Sequence, residues 1–111
     1  MKKLLFIVFS FISVGCTTTS LESQDPIYAG ETTKSAEQVN KCLAPKWIEL
    51  RASSNSIPTG TGYKLVSSDD IFGALSVAVI NEKGGGGSTV KVYAASKGTN
   101  DPWGNAARQC M

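Results

Sequence analysis

The first fifteen residues constrain this chain most, because they decide which part of it is left to fold and in which compartment. Lys2 and Lys3 precede an apolar run, residues 4–14, that is too short to span a bilayer as a permanent helix. Small residues then lead into Cys16. This order is typical of a cleaved secretory signal peptide. We therefore expect residues 1–15 to be removed, which leaves about 96 residues, enough for one small domain.

The end of this signal, Ser13-Val14-Gly15-Cys16, resembles the lipobox of bacterial lipoproteins. The resemblance implies that the Cys16 thiol is diacylated, that cleavage occurs before it, and that its new amino group is often acylated too. Several acyl chains hold a protein to a membrane far more firmly than one. Thr17 follows the cysteine, and by the same resemblance it favours the outer membrane, with the protein facing the periplasm.

The charge of the chain changes when the signal is removed. The full sequence has 11 basic and 9 acidic side chains, and Lys2 and Lys3 leave with the signal, so 9 of each sign remain. The formal net charge falls from +2 to zero. Because no basic stripe remains, neither nucleic acid nor an electrostatically bound membrane patch is expected as a partner.

Two cysteines remain once Cys16 is acylated. An exported protein lies in an oxidising compartment, so we predict a disulfide between Cys42 and Cys110. A reactive or metal-binding thiol pair is the alternative. The chain has no histidine and no CxxC spacing, so a zinc site would lack its usual ligands, and neither a metal nor a cofactor is expected.

Residues 17–34 are polar, rich in Thr, Ser and Glu, and interrupted by Pro26 and Gly30. They show no sustained periodicity, which is typical of a flexible linker. We therefore expect a lipidated tether over residues 16–34 and one domain over residues 35–111. Docking of Ile27 and Tyr28 onto that domain is the alternative.

The domain begins with a helix signal, since Ser35 and Gln38 have the spacing of a capping box. Apolar residues at helical spacing follow on one face: Ala36, Val39, Leu43, Trp47 and Leu50. Pro45 predicts a kink or a second short helix, and residues 53–62 read as a loop. At the other end, Asp101 as N-cap and Pro102 as first residue predict a helix that runs to Cys110.

Three segments between the helices alternate with period two and are rich in β-branched residues: 63–67, 74–81 and 88–94. The glycine-rich residues 81–87 predict a flexible hairpin loop. The order α-β-β-β-α predicts a small two-layer α+β domain, a three-stranded antiparallel meander packed on two helices that a disulfide joins. Trp47 and Trp103 are expected to cover that disulfide.

One sheet face is a candidate partner surface. We expect Leu75, Val77 and Val79 to pack on the helices together with Val90 and Val92. The opposite face would then carry a partly apolar patch among lysines, composed of Val66, Ala78, Ile80 and Tyr93. Such a patch fits an envelope protein or self-association, and an ordinary solvated face is the alternative.

The sequence does not favour an enzyme. Without histidine a Ser–His or Cys–His nucleophile cannot form, and no GxSxG elbow is present. The glycine run 84–87 lacks the spacing of a phosphate-binding loop and precedes a strand.

Residues 36–111 resemble small gram-negative lipoproteins of no known activity, in KCLAPKW, TGY, the glycine-rich hairpin, and W-x-x-A-A-R-x-C from Trp103 to Cys110. The resemblance supports the fold and the disulfide. We expect a non-enzymatic, lipid-anchored envelope protein that acts as an interaction or accessory module. One alternative is a lysozyme-inhibitor-like lipoprotein, because residues 59–63 faintly resemble an SGxxY loop. A small lipid or solute binder is the other, and it would need a deep apolar pocket.

Overall fold

A computed structural model describes residues 21–69, 73–94 and 102–111. The predicted signal, Cys16 and Asp101 lie outside these residues. Seven elements follow one another: β1 (Tyr28–Thr32), α1 (Ala36–Leu50), β2 (Asn55–Pro58), β3 (Gly62–Asp69), β4 (Gly73–Glu82), β5 (Ser88–Ala94) and α2 (Pro102–Gln109). The strands form one antiparallel sheet in the order β1-β5-β4-β3-β2. Both helices pack on the same face of the sheet.

The α+β class is confirmed, but the sheet has five strands where the sequence analysis predicted three. β1 lies inside the predicted tether and β2 inside the predicted loop. Both are short edge strands with one neighbour each, β5 for β1 and β3 for β2. β2 is exposed along its whole length and ends at Pro58, so burial produced no alternating pattern there. The prediction of a flexible tether therefore does not hold for Tyr28–Thr32.

Helix α1 begins at the predicted capping box. The Ser35 hydroxyl accepts from the Gln38 amide at 3.2 Å, and the Gln38 side chain accepts from the Ser35 amide at 2.9 Å. Glu82 adds a carboxylate at this end, 3.3 Å from the Ala36 amide, where the helix dipole favours negative charge. The helix continues through Pro45 to Leu50 as one element. Pro45 is exposed, so water can satisfy the carbonyl that its missing N–H leaves free.

The main core lies between the helices and the sheet, and the predicted disulfide is part of it. Cys42 on α1 is bonded to Cys110 just after α2, with Cα atoms 5.7 Å apart. Trp47 is fully buried; its ring meets that of Trp103 edge-on at 4.9 Å, and its Nε1 donates to the Trp103 carbonyl at 3.3 Å. These aromatic contacts and the disulfide belong to one apolar cluster that joins the two helices.

The predicted hairpin joins β4 to β5. Its turn is closed by the Lys83 amide, which donates to the Gly87 carbonyl at 2.8 Å. Gly85 and Gly86 have φ of +93° and +98°, a region that favours glycine. Among the residues that the structure describes, no helix has the length and hydropathy needed to cross a membrane.

Candidate functional surface on the open face of the sheet

The strand register shows which residues share the sheet face opposite the helices, called here the open face. Partners across antiparallel strands point to the same side, and neighbours along a strand alternate. Val66 on β3 is opposite Val77 on β4, which is opposite Tyr93 on β5. A second row contains Lys64, Val79 and Lys91, in that strand order. These two rows form the centre of the open face.

The predicted partner surface is therefore wrong for half of its residues. Val66 and Tyr93 lie on the open face, but Ala78 and Ile80 are fully buried beneath the helices. Val77 and Val79, predicted to face the helices, lie on the open face instead. Residues 77–80 of β4 are all apolar, so alternation alone could not identify its inner side. The four residues do not form one surface.

The open face is covered in part by the chain that leads into β1, residues 21–27, which we call the N-terminal arm. Leu21 is 4 % exposed and packs against Val77 and Tyr93, with Val66 and Val79 at the margin. Because β4 and β5 are interior strands, Leu21 lies near the middle of the sheet and not at an edge. The arm then crosses to the outer edge, where the Ile27 amide donates to the Val92 carbonyl at 2.7 Å.

An ion pair holds the arm next to Leu21. The Lys64 ammonium lies 2.6 Å from the Glu22 carboxylate, and both side chains are less than a third exposed, 28 % and 29 %. The docked arm also affects the ionisation of Tyr93. Burial raises the pKa of the Tyr93 hydroxyl, and the Glu22 carboxylate raises that pKa further. The pKa of Tyr93 therefore indicates whether the arm is docked.

The free energy of docking is modest. Burial of a leucine side chain stabilises by about 2 kcal/mol, and a partly exposed ion pair adds about 0.5 kcal/mol. The arm is joined to β1 at Tyr28, so the paired strand already restricts its far end and reduces the conformational entropy lost on docking. Docking is therefore supported by continuity with the sheet and is sensitive to single substitutions.

The exposed remainder of the open face is mostly polar. Lys91 is exposed on β5, and the next row contains Asn81, Thr89 and Glu31. The Lys83 ammonium lies 2.8 Å from the Glu31 carboxylate, and this contact lowers the pKa of Glu31. The exposed part of the face therefore presents charged and hydroxyl groups around an apolar centre that the arm occupies.

Two clefts lie outside the apolar centre of this face. One, of about 450 Å³, lies beside the glycine hairpin between Thr32 and Gly85. Another, of about 300 Å³, separates the helices and is lined by Lys46, Leu50 and Asn105. Both are open and shallow, unlike the deep apolar cavities that hold small ligands.

The sequence analysis missed Leu21 and Glu22, although a signal was present. Leu21 is the one large apolar side chain between Cys16 and Ile27. A lone leucine in a polar stretch belongs to no periodic hydrophobic pattern, so it predicts neither a helix nor a strand.

Comparisons with protein-family models, with curated proteins and with solved structures found no match. Within residues 21–69, 73–94 and 102–111, no three potential ligands from Cys, Asp and Glu lie close enough to hold a metal ion.

Proposed function

We propose that this chain is a non-enzymatic lipoprotein of the bacterial cell envelope, an interaction module on the periplasmic side of the outer membrane. The observation that carries the proposal is the pairing of Cys42 with Cys110, which leaves Cys16 as the only other cysteine. Disulfides are typical of exported proteins, and the signal at residues 1–15 would supply that export. The remaining cysteine stands where a lipobox places the acylated residue.

The shape of the domain supports an interaction role. Two helices cover one face of its sheet and bury the core between them, and the two clefts described above are shallow. Exposed apolar side chains remain on the outside of α1, where Ile48 is 47 % and Leu50 is 44 % exposed. A membrane anchor raises the local concentration of such a module, so weak surface contacts with other envelope proteins become effective.

The test is maturation in cells. The wild-type chain should lose residues 1–15, gain acyl groups on Cys16 and fractionate with membranes. The Cys16→Ser variant should accumulate as an uncleaved precursor without lipid, as read by intact mass. The matched control, Cys42→Ser with Cys110→Ser, should be acylated as in the wild type. Efficient cleavage and membrane attachment of Cys16→Ser would contradict the proposal.

The partner is sought by crosslinking in whole cells from a photoreactive residue placed at Ile48. The expected result is a crosslinked envelope protein or a second copy of this chain, lost when Cys16 is replaced by Ser. The same photoreactive residue at Glu31, on the opposite side of the sheet, is the control position. Equal crosslinking from both positions would argue against a specific interaction on the helix layer.

A further inference from the structure

The domain is connected to its anchor by a much shorter segment than the sequence suggests. A tether that ended at residue 34 could extend about 60 Å. The docked arm instead holds Leu21 on the sheet, so only residues 17–20, called here the link, separate the domain from Cys16. Five Cα–Cα steps span at most about 18 Å.

The place where the link joins the domain restricts how the domain is oriented. Leu21 packs over Val77 and Tyr93, on the interior strands β4 and β5. To turn the helices towards the anchor, the link would have to pass around the nearer sheet edge. That path is about 7 Å to the edge and then about 20 Å across a sheet layer and a helix layer. The link is too short for it while the arm is docked.

We propose that the open face lies against the lipid headgroups of the membrane that holds Cys16, with α1 and α2 directed away from it. This inference rests on the proposed lipid anchor. The occupant of the face is the headgroup layer, because the exposed side chains there are polar and charged, Lys91 and Glu31 among them. Such groups suit the interfacial region of a bilayer and not its hydrocarbon core.

The orientation assigns different roles to the two sides of the domain. The open face and its arm set the distance to the membrane. The helix layer, with Ile48 and Leu50 exposed, faces the aqueous space where another protein can approach. If the arm were released, the flexible segment would extend from Cys16 to β1, and the domain could lie farther from the membrane. The distance of the domain from the membrane therefore depends on Leu21 and the Glu22–Lys64 ion pair.

The test uses the mature chain, residues 16–111, anchored through Cys16. With Cys42 and Cys110 bonded, the Cys16 thiol is the one available for coupling to a maleimide lipid. The vesicles contain phosphatidylethanolamine and phosphatidylglycerol in equal parts. A fluorophore is attached through an azide-bearing amino acid at Lys91 in one sample and at Ile48 in another. Lipids with a nitroxide on the headgroup then quench whichever label lies close to the membrane surface.

The expected result is loss of fluorescence at position 91 and none at position 48. Equal quenching at both positions, or stronger quenching at 48, overturns the proposal. Because the anchor is added chemically, the outcome is independent of acylation in cells. Failure of the proposed function would instead appear as normal maturation of the Cys16→Ser chain.

Two variants test the cause of the orientation. A Gly/Ser insertion between Ser20 and Leu21 lengthens the link without touching the docked residues, and it should remove the difference between positions 91 and 48. Leu21→Ser should do the same by releasing the arm, and an intact far-UV spectrum shows that the domain is folded. A difference that persists in the insertion variant would show that the short link does not set the orientation.

Discussion

The two faces of the sheet are protected by different means. On one face, two helices, a disulfide and the Trp47–Trp103 pair seal fully buried side chains such as Ile80. On the other, Leu21 and one ion pair cover Val77 and Tyr93. The first cover is extensive and covalently fixed, so it provides stability. The second is small and non-covalent, so its loss should lower the stability of the domain less than loss of the first.

The largest expected effect is on the helix-covered face. Replacing both Cys42 and Cys110 by Ser should lower the free energy of unfolding by about 4 kcal/mol, because the bond closes a loop of nearly seventy residues in the unfolded chain. Guanidinium unfolding of the mature chain measures this. The reduced wild type is the control and should match the double variant. A decrease of less than 1 kcal/mol in the free energy of unfolding would mean that the helices are held together without the disulfide.

Neighbouring residues on β4 compare the two faces directly. Ile80→Ala should cost about 3 kcal/mol, since Ile80 is fully buried beneath the helices. Val79→Ala, half-buried on the open face, should cost about 1 kcal/mol. Chemical denaturation of the two variants gives both values. Equal losses would contradict the assignment of the faces.

These contrasts also explain what the sequence could and could not predict. α1, its cap and the glycine turn have strong local signals, such as Ser35 with Gln38, and all three are present. The disulfide, which is also present, was predicted from the number of cysteines left after Cys16. Helix α2 was anticipated from Pro102 onwards.

β2 was missed because it is exposed along its whole length. β1 was missed because its half-buried positions include Gly30 and Thr32, so its alternation in burial has no matching alternation in hydrophobicity.

The inner side of β4 was misassigned for a different reason. Both of its faces are covered, so Val77 and Ile80 are equally buried, and residues 77–80 are all apolar. A register irregularity between Ser67 and Ser68 also interrupts the alternation of β3. The candidate surface depends on the contact between Leu21 and Tyr93, which are far apart in sequence and so beyond any local pattern.

A smaller effect is expected from the arm itself. Leu21→Ala should lower the free energy of unfolding by about 1 to 2 kcal/mol, the loss of one buried leucine side chain less what the freed arm regains in entropy. Leu50→Ala, which is 44 % exposed on α1, is the size-matched control and should cost less. If Leu50→Ala costs more, the arm does not contribute measurable stability.

The Glu22–Lys64 ion pair should contribute less again. A double-mutant cycle with Glu22→Gln and Lys64→Gln should give a coupling free energy of about 0.5 kcal/mol that falls as salt is raised. Lys41 and Glu37 on α1, with side chains 74 % and 63 % exposed, provide a reference pair expected to couple more weakly. A larger coupling in the reference pair would contradict a specific role for Glu22.

The finest probe is the titration of Tyr93, whose pKa is raised by burial and by Glu22. Its contribution to stability is present below the ordinary tyrosine pKa of 10.0 and is lost as pH rises through the raised value. Glu22→Gln should move the pKa of Tyr93 down, and burial should keep it above 10.0. Ring-carbon NMR measures this, with Glu31→Gln as the control that leaves Tyr93 unchanged.

The central claim, that the arm docks on the open face, is tested most directly by NMR of the mature chain with labelled leucine methyl groups. We predict nuclear Overhauser effects from the Leu21 methyls to the Tyr93 ring and to the Val77 methyls. Their loss in the Glu22→Lys variant and recovery when Lys64→Glu is added would link the contact to the ion pair. A Leu21 methyl spectrum at random-coil shifts, without contacts to Tyr93, would contradict the account.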